Sequence, residues 1–340
     1  MTTLDDVARH VGVTSATVSN VITGKGSVSE STRRRVLAAV EELGYQPNLV
    51  ARSLAQQKTL TLALIVPTIA NPFYAEIAEE IEHTAWHHGY QLILCNTFRD
   101  RSRGQERLKA LSRRWIDGLL MMGGSLSVVD LLAATRFGQR RLPMVLCLPC
   151  EEELATGLSM VDLDYWYAGE LAAQHLVSLG HHRLAIIVEY PGHAPRLEGF
   201  RAALAASGID LPPDSIQYGD STMQSGYQAT RTLLSLPTPP TALFATNDLM
   251  ALGAMEAALD EGLTLPDDLS VVGLDDIMIG AHMHPPLTTI ATPKHELAKQ
   301  AVELLLRHID DAESPSLSLT VRPHLIVRQT TAPQQKEADG

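Results

Sequence analysis

The chain has 340 residues, of which 45% are hydrophobic and 19% are charged, and its formal net charge is −12. This length predicts two or three domains, and the composition excludes wholesale disorder. The acidic balance argues against a protein that coats nucleic acid over its whole surface. However, the first 60 residues carry a net charge of +2 and the remainder −14. This asymmetry favours a small anion-binding module joined to an acidic body.

Three short helices are predicted at the start of the chain from apolar residues at helical spacing. Thr3 is a suitable N-cap for the first helix, and Gly12 ends it. Thr14 can cap the second helix, Ser29 can cap the third, and Gly44 follows the end of the third. A tight turn between two short helices is typical of a helix-turn-helix motif, although any three-helix bundle can contain such a turn.

The outer face of the second helix carries small polar side chains and no acid. Ser15, Thr17, Ser19 and Asn20 face outward in this pattern. A helix that enters the major groove, about 12 Å wide, needs short side chains with hydrogen-bond donors and acceptors. The pattern therefore favours DNA binding over a purely structural bundle.

From residue 60 onward, apolar strands alternate with helical segments, and the alternation restarts at "SMVDLD", residues 159–164. Repeated βαβ units predict parallel sheets covered by helices on both faces. Two such series predict two Rossmann-like lobes. Because ligands bind at the carboxyl ends of parallel strands, a cleft between the lobes is the expected ligand site.

No membrane segment, disulfide framework or cofactor site is predicted. The chain lacks a secretory signal at its start and any apolar run of about 18–20 residues. Cys147 and Cys150 have a CxxC spacing, but they end a predicted strand and no second ligand pair completes a metal set. We expect a cytoplasmic protein in which Cys147 belongs to the core.

Several segments together resemble the LacI/GalR family of bacterial transcription regulators. They include "TLDDVARHVGVTSATVSNVITG", "VSESTRRRVLAAVEELGYQPN", "ARSL", "NPFYAEI", "ATNDLMALGAMEAALDEGL" and "VVGLDD". The resemblance implies an all-α helix-turn-helix headpiece on an α/β, periplasmic-binding-protein-like body of two Rossmann-like lobes. It also implies a homodimer on palindromic operator DNA.

The resemblance implies a set of DNA-binding residues. Ser15, Ala16 and Asn20 would read bases, Thr17 and Ser19 would contact phosphates, and Leu54 of a hinge helix would wedge into the minor groove. The full implied set is Thr14, Ser15, Ala16, Thr17, Ser19, Asn20, Asn48 and Leu54. The family commonly has Arg where this chain has Asn20, and Asn prefers adenine whereas Arg prefers guanine.

The resemblance also implies the domain boundaries. Residues 1–46 would form the DNA-binding domain, 47–59 the hinge, and 60–331 the effector-binding and dimerisation domain, followed by a polar tail, 332–340. The chain would pass between the lobes three times. The N-lobe would then comprise residues 60–160 and 291–322, and the C-lobe 161–290 and 323–331.

An effector site is implied at three positions where strands end in the second lobe, namely Arg196, Asn247 and Asp275. Their donor and acceptor groups suit a polyhydroxylated ligand. The alternative for Arg196 and Asp275 is a structural ion pair. Asp248 and Asp276 are expected to cap the helices that follow them.

Aromatic residues add a second expectation about the cleft. Of Phe73 and Tyr74, one would face the cleft and the other the core, and Phe73 is our prediction for the cleft. Family members often have an aromatic residue near the position of Ser221, but "GDSTMQ", residues 219–224, contains none, so ring stacking would come from Trp166 or Tyr190. This absence argues against a purine and favours a sugar, sugar phosphate or sugar acid.

The sequence thus predicts an effector-controlled transcriptional regulator, most simply a repressor. A solute-binding protein for sugar uptake would share the body but not the first 60 residues. A metabolic enzyme of doubly wound fold would need a catalytic constellation, and neither a G-x-S-x-G elbow nor a P-loop occurs.

Overall fold

The computed structural model describes residues 2–23, 26–45, 58–112, 116–124, 126, 128–134, 136–137, 140–189 and 194–334. The chain divides into two compact units, Met1–Thr59 and Leu60–Gly340. The helices are α1 Leu4–Val11, α2 Ser15–Thr23, α3 Glu30–Glu42, α4 Pro72–His87, α5 Arg101–Ser112, α6 Val128–Ala134, α7 Tyr165–Ser178, α8 Ala194–Ala206, α9 Met223–Leu234, α10 Asp248–Asp260, α11 Met278–Ala281 and α12 Lys294–Asp310. The strands are β1 Thr61–Val66, β2 Gln91–Asn96, β3 Gly118–Met122, β4 Arg136–Phe137, β5 Arg140–Arg141, β6 Met144–Cys147, β7 Ser159–Leu163, β8 Leu184–Glu189, β9 Ile216–Gly219, β10 Ala242–Ala245, β11 Ser270–Asp275, β12 Thr288–Ala291, β13 Ser318–Val321 and β14 His324–Ile326.

The first unit is a three-helix headpiece, α1–α3, with the local signals that the sequence predicts. Thr3 caps α1 in a reciprocal capping box, and Gly12 ends the helix in the left-handed conformation, with φ of 72°. The Thr14 hydroxyl accepts from the backbone N–H of Thr17, and Ser29 caps α3. The predicted starts of all three helices are therefore confirmed.

The headpiece core is small and aliphatic. It contains the fully buried side chains of Val7, Val18 and Val36, one from each helix. Residues 47–57 of the predicted hinge, including Asn48 and Leu54, lie outside the described residues.

The second unit contains two six-stranded sheets within the described part of the chain. The strand orders are β13-β7-β6-β3-β1-β2 and β14-β12-β11-β10-β8-β9. All neighbouring pairs in these sheets are parallel except β12 and β14. We call the region around the first sheet the first lobe and that around the second sheet the second lobe.

The strand at residues 159–163 lies in a different sheet from the one that the sequence suggests. The restart at "SMVDLD" places Ser159–Leu163 at the beginning of the second series, but β7 pairs with β6 and β13 in the first sheet. Four of its five residues are buried, as expected for a strand with neighbours on both sides. The first crossing between lobes therefore follows Leu163, and α7 is the first element of the second lobe.

The other two crossings are close to the predicted positions. One lies between β12 in the second sheet and α12, which packs against α4 of the first lobe. The other lies between β13 and β14, which belong to different sheets. Each lobe is therefore built from separate stretches of chain, and the cleft between the lobes borders the crossing segments.

Candidate DNA-binding surface and effector cleft

The hydroxyl groups at the start of α2 are mostly engaged in local hydrogen bonds. The Oγ1 atoms of Thr14 and Thr17 lie 2.9 Å apart, and the Ser15 hydroxyl donates to Asp5 of α1. The contact with Asp5 corrects the expectation that no acid borders this face. The sequence did not show it because Asp5 lies ten residues earlier, on another helix, and the angle between α1 and α2 brings the two side chains together.

Ala16 and Asn20 are exposed on the same helix. The Asn20 amide nitrogen lies 3.1 Å from the position that a Cβ would take at Gly26, so the Asn20 side chain lies against the turn after α2. Of the basic run at 33–35, Arg35 has a structural role, because its guanidinium donates to the backbone oxygen of Val11.

Four polar residues follow the carboxyl ends of four neighbouring strands in the second sheet. Asp275 ends β11, Asn247 follows β10, Glu189 ends β8 and Ser221 follows β9. Parallel strands bring these ends to one edge of the sheet, where α/β proteins bind ligands. We call this edge, together with the facing residues of the first lobe, the cleft.

Arg196 lies on α8 at this edge, and only 5% of its surface is exposed. Its Cζ atom lies 3.9 Å from the centre of the Tyr165 ring, and its Nη1 lies 3.9 Å from Glu189 Oε2. Neither Nε nor Nη1 has a hydrogen-bond partner among the described residues. The alternative of a structural ion pair thus holds for Arg196, with Glu189 as its partner; no pair within 4.0 Å involves Asp275 among the described residues.

Two glycines set the position of Arg196 by allowing α7 and α8 to touch through their backbones. A Cβ at Gly169 would lie 2.0 Å from the backbone oxygen of Arg196, and a Cβ at Gly199 would lie 1.9 Å from that of Trp166. Any larger residue would push the helices apart. This close packing holds the guanidinium over Tyr165.

Asn247 has two roles. Its Oδ1 accepts from the backbone N–H of Met250 at 2.8 Å and so caps α10. Its Nδ2 is buried and, like the Oγ of Ser221, has no hydrogen-bond partner among the described residues. Buried polar groups are normally satisfied, so these atoms point to a polar ligand or water in the cleft.

Asp275 is held in an unusual backbone conformation, with φ of 121°. Burial raises the pKa of its carboxyl well above the ordinary value, and the nearby Asp248 carboxylate raises it further, while Arg196 opposes the change. Strained, buried groups of this kind concentrate at binding sites.

The expected caps at Asp248 and Asp276 are wrong. Asn247 caps α10, whereas the buried Asp248 accepts from the N–H of Ile277 at 2.8 Å and from the Thr289 hydroxyl at 2.6 Å. Asp276 pairs with Arg328 instead of capping α11. Both carboxylates thus fix the loop that directly follows Asp275, the last residue of β11.

The preference for Phe73 over Tyr74 is also wrong. Phe73 is 6% exposed and belongs to the hydrophobic core. The pKa of the Tyr74 hydroxyl is raised chiefly by burial and then by the charge of Glu189, with Asp275 and Arg196 also within electrostatic range. Tyr74 is therefore the residue of α4 that faces the charged groups of the second lobe.

Bonds across the cleft join the two lobes at two places. Arg99 of the first lobe donates to the backbone oxygen of Asp220 at 3.0 Å and lies 3.5 Å from Glu189. Elsewhere, Glu76 of α4 accepts from the backbone N–H of Met278 at 2.9 Å and pairs with Lys294 at 2.9 Å. The relative position of the lobes is thus coupled to residues that line the cleft.

Sequence reasoning missed several residues at this site. No sequence motif marks Tyr165, Glu189 or Arg99, although Tyr165 begins the helix after β7 and Glu189 ends a strand. Trp166, one of the two suggested stacking residues, is 42% exposed, and its backbone oxygen packs against Gly199. The other suggested residue, Tyr190, lies outside the described residues.

Two further observations concern the remaining chemistry. Cys147 is fully buried in β6, as predicted for a core residue. No group of three or more His, Cys, Asp or Glu side chains in the described ranges is arranged to hold a metal ion, and no described helix is long and apolar enough to cross a membrane.

A helix-turn-helix headpiece joined to a two-lobed binding body defines a ligand-responsive DNA-binding protein. Residues 3–48 match the family described as bacterial regulatory proteins, lacI family, and residues 173–331 match the periplasmic binding protein-like domain. The ribose operon repressor of Escherichia coli strain K12 is 36% identical over 332 residues, which cover 96% of this chain and 99% of that protein.

Solved structures show the same likeness. The lac repressor dimer bound to operator and an anti-inducer has a TM-score of 0.85 at 29% identity, covering 97% of this chain and 99% of that one. A LacI-family regulator from Enterococcus faecium with bound ribose has a TM-score of 0.71 at 30% identity, covering 81% of this chain and all of that one. This chain belongs to the lacI family of bacterial regulatory proteins and is a DNA-binding transcriptional regulator controlled by a small-molecule effector.

Proposed function

We propose that this regulator is a repressor that binds a palindromic operator as a homodimer. Its affinity for the operator falls or rises when a neutral sugar occupies the cleft. The observation that carries the ligand proposal is the set of buried polar atoms without partners among the described residues, on Arg196, Ser221 and Asn247, at the same edge of the sheet as Asp275. Hydroxyl groups of a sugar can both donate and accept, so they would satisfy these atoms.

The charges around the cleft favour a neutral sugar over a sugar phosphate or sugar acid. Glu189 contributes a carboxylate, whereas burial raises the pKa of the Asp275 carboxyl and raises that of Asp162 to about 6. The guanidinium of Arg196 already faces Glu189, and Arg99 also lies close to that residue. An anionic ligand would have to compete with Glu189 for both cations, whereas a neutral sugar avoids this competition.

The bonds across the cleft explain how a ligand would control DNA binding. A sugar that engages Arg196 and Glu189 changes the partners available to Arg99, which bridges the lobes through Asp220. A change in the angle between the lobes of each subunit would alter the separation of the two headpieces in the dimer. A ligand shifts this equilibrium only by its difference in affinity for the two arrangements.

The remaining assignments follow the same reasoning. We place the DNA-binding domain at residues 1–46, the hinge at 47–59 and the effector-binding domain at 60–331, and we assign the protein to the cytoplasm, where operator DNA is accessible. Thr14, Ala16, Thr17, Ser19 and Asn20 join Ser15 as DNA contacts. Tyr74 replaces Phe73 as the cleft residue of α4.

We assign part of the dimer contact to the edge strand β2 of the first lobe. Leu94 on this strand is 45% exposed and Phe98, just after it, is 58% exposed. Exposed apolar side chains at an unpaired sheet edge mark an interaction surface.

The solute-binding alternative has no use for the headpiece, whose helix-turn-helix matches the lacI family.

A thermal-shift screen tests the ligand. We expect a neutral pentose or hexose to raise the melting temperature, because a ligand that binds only the folded state stabilises it by mass action. The phosphate and the acid of the same sugar should give no shift. A larger shift with either anion would refute the neutral-sugar proposal.

Matched variants test the site. Ser221→Ala removes one hydroxyl, and Asn247→Ser keeps an oxygen that can cap α10 while removing the amide donor. Each should abolish most of the ligand-induced shift and leave the ligand-free melting temperature within a few degrees. Ser178→Ala is the control, because the Ser178 hydroxyl is exposed and bonds to its own helix. Retention of the full shift in both cleft variants would show that the site is misplaced.

Selection of duplexes from a randomised pool tests the DNA function. The full chain should enrich a near-palindrome, because a two-fold dimer presents two equivalent headpieces. Binding should also weaken steeply as salt rises. Failure to enrich any motif, with or without the sugar, would refute the proposal.

A further inference from the structure

Asp5 of α1 and Ser15 of α2 form one pair of hydrogen-bond acceptors at the start of the reading helix. The Ser15 hydroxyl donates a hydrogen bond to Asp5 Oδ1, so the Ser15 oxygen presents only lone pairs outward. Asp5 is exposed and Ser15 is partly exposed. We propose that this Asp5–Ser15 pair reads a cytosine in each operator half-site; the inference rests on the proposed role of α2 in reading bases.

The base edges in the major groove differ in what they offer to such a pair. Guanine presents two acceptors and thymine one acceptor beside its methyl group, so both repel it. Adenine presents an amino donor next to an acceptor, which also faces a carboxylate poorly. Cytosine presents an amino donor with one N–H free, since the other pairs with guanine, and Asp accepts from that group. Cytosine is therefore the base that fits this pair best, through one hydrogen bond to a carboxylate.

The neighbouring acid has a different role and explains why Asp5 is the reading residue. Asp6 accepts from the backbone and hydroxyl of Thr3, at 2.9 Å and 2.7 Å, and from Arg9 at 3.1 Å. Its carboxylate is thus used in the cap of α1. Asp5 instead bonds across to α2, which places its charge beside the first residue of the reading helix.

Duplex selection with the full chain tests this inference. Wild type should enrich cytosine at one position of each half-site, with a preference of roughly 5-fold over the other bases, the lower end of the range for base contacts, because one N–H is available. Asp5→Asn supplies an amide, which suits adenine, so the preference at that position should move from cytosine to adenine. Ser15→Ala should weaken the preference without moving it.

Glu41→Gln is the matched control, because it removes the same charge from an exposed site on α3. It should leave the selected base unchanged. Melting curves of each variant confirm that the headpiece is folded, and Ser15→Ala keeps the test decisive if Asp5→Asn unfolds.

The outcomes separate this inference from the function on which it rests. If wild type enriches no motif, the proposed DNA function fails. If wild type enriches a motif without cytosine, or if Asp5→Asn tightens all sequences equally and changes no base preference, then Asp5 only repels phosphates. In that case the inference is overturned while the DNA function stands.

Discussion

Gly199→Ala is expected to weaken both the second lobe and the effector site. A Cβ at this position would lie 1.9 Å from the backbone oxygen of Trp166 and 2.7 Å from its carbonyl carbon. These atoms belong to a helix backbone, so they cannot move aside as the end of a flexible side chain could. Since Cβ contacts are rarely shorter than about 3 Å, α7 and α8 must separate by roughly 1 Å.

The magnitude follows from the cost of overpacking, about 1–3 kcal/mol. Alanine favours a helix over glycine by up to about 1 kcal/mol, so the net loss should be about 1–2 kcal/mol. For a body of this size, a loss of that order lowers the melting temperature by a few degrees. The same shift of α8 moves Arg196 relative to Tyr165, which lie 3.9 Å apart, so the sugar affinity should fall by tenfold or more.

Thermal unfolding and sugar titration of the same preparation measure the two effects. Ala202→Ser is the control, because Ala202 lies on the same helix and is exposed. A Gly199→Ala variant that melts with wild type and binds the sugar normally would refute the argument that backbone contact between these helices positions Arg196.

The remaining predictions concern a buried carboxyl, the bridge between the lobes and the headpiece. Burial raises the pKa of Asp248 from 3.8 to about 7, so wild type should lose stability as pH rises from about 4 to 7, by at most about 4 kcal/mol from this group. Asp248→Asn should flatten that slope in urea titrations at several pH values, and an unchanged slope would contradict the assignment. Arg99→Gln breaks the bridge to Asp220 and Glu189. In gel-shift titrations it should change the effect of the sugar on operator affinity several-fold, while the melting temperature without sugar stays nearly unchanged. An unaltered effect of the sugar would exclude a coupling role for Arg99. Gly12→Ala places a residue with a side chain at a backbone φ of 72° and should destabilise the headpiece by about 1–2 kcal/mol. Unchanged DNA affinity together with unchanged melting of the headpiece would disprove this expectation.

The sequence predicts best what local hydrogen bonds decide. Thr3, Gly12 and Ser29 mark helix ends because each acts on backbone groups a few residues away. The alternation of strands and helices likewise predicts that Asn247 and Asp275 follow strand ends. The same logic was wrong at Asp248 and Asp276, whose carboxyl groups bond to distant segments and cap no helix.

Contacts between distant segments could not be predicted in the same way. The orientation of Phe73 and Tyr74 depends on how α4 rotates against the sheet, and adjacent residues on a helix point about 100° apart. The bond from Ser15 to Asp5 depends on the angle between two helices. The sheet to which β7 belongs depends on pairing with β13, about 160 residues later.

Under the proposed function, the bonds across the cleft would link ligand recognition to the position of the lobes. Arg99 bonds to the backbone oxygen of Asp220, and Glu76 bonds to the backbone N–H of Met278. Because both partners are backbone atoms, these bonds depend on the position of the second lobe and not on the side chains at those two residues. Glu189 is shared between Arg99 and Arg196, which places one carboxylate in both the bridge and the ligand site. Because coupling between two binding events is reciprocal, any sugar that alters operator affinity through this carboxylate must itself bind with a different affinity when operator is present. Measuring the sugar affinity with and without operator therefore tests the same coupling from the opposite side, and the two fold-changes must agree.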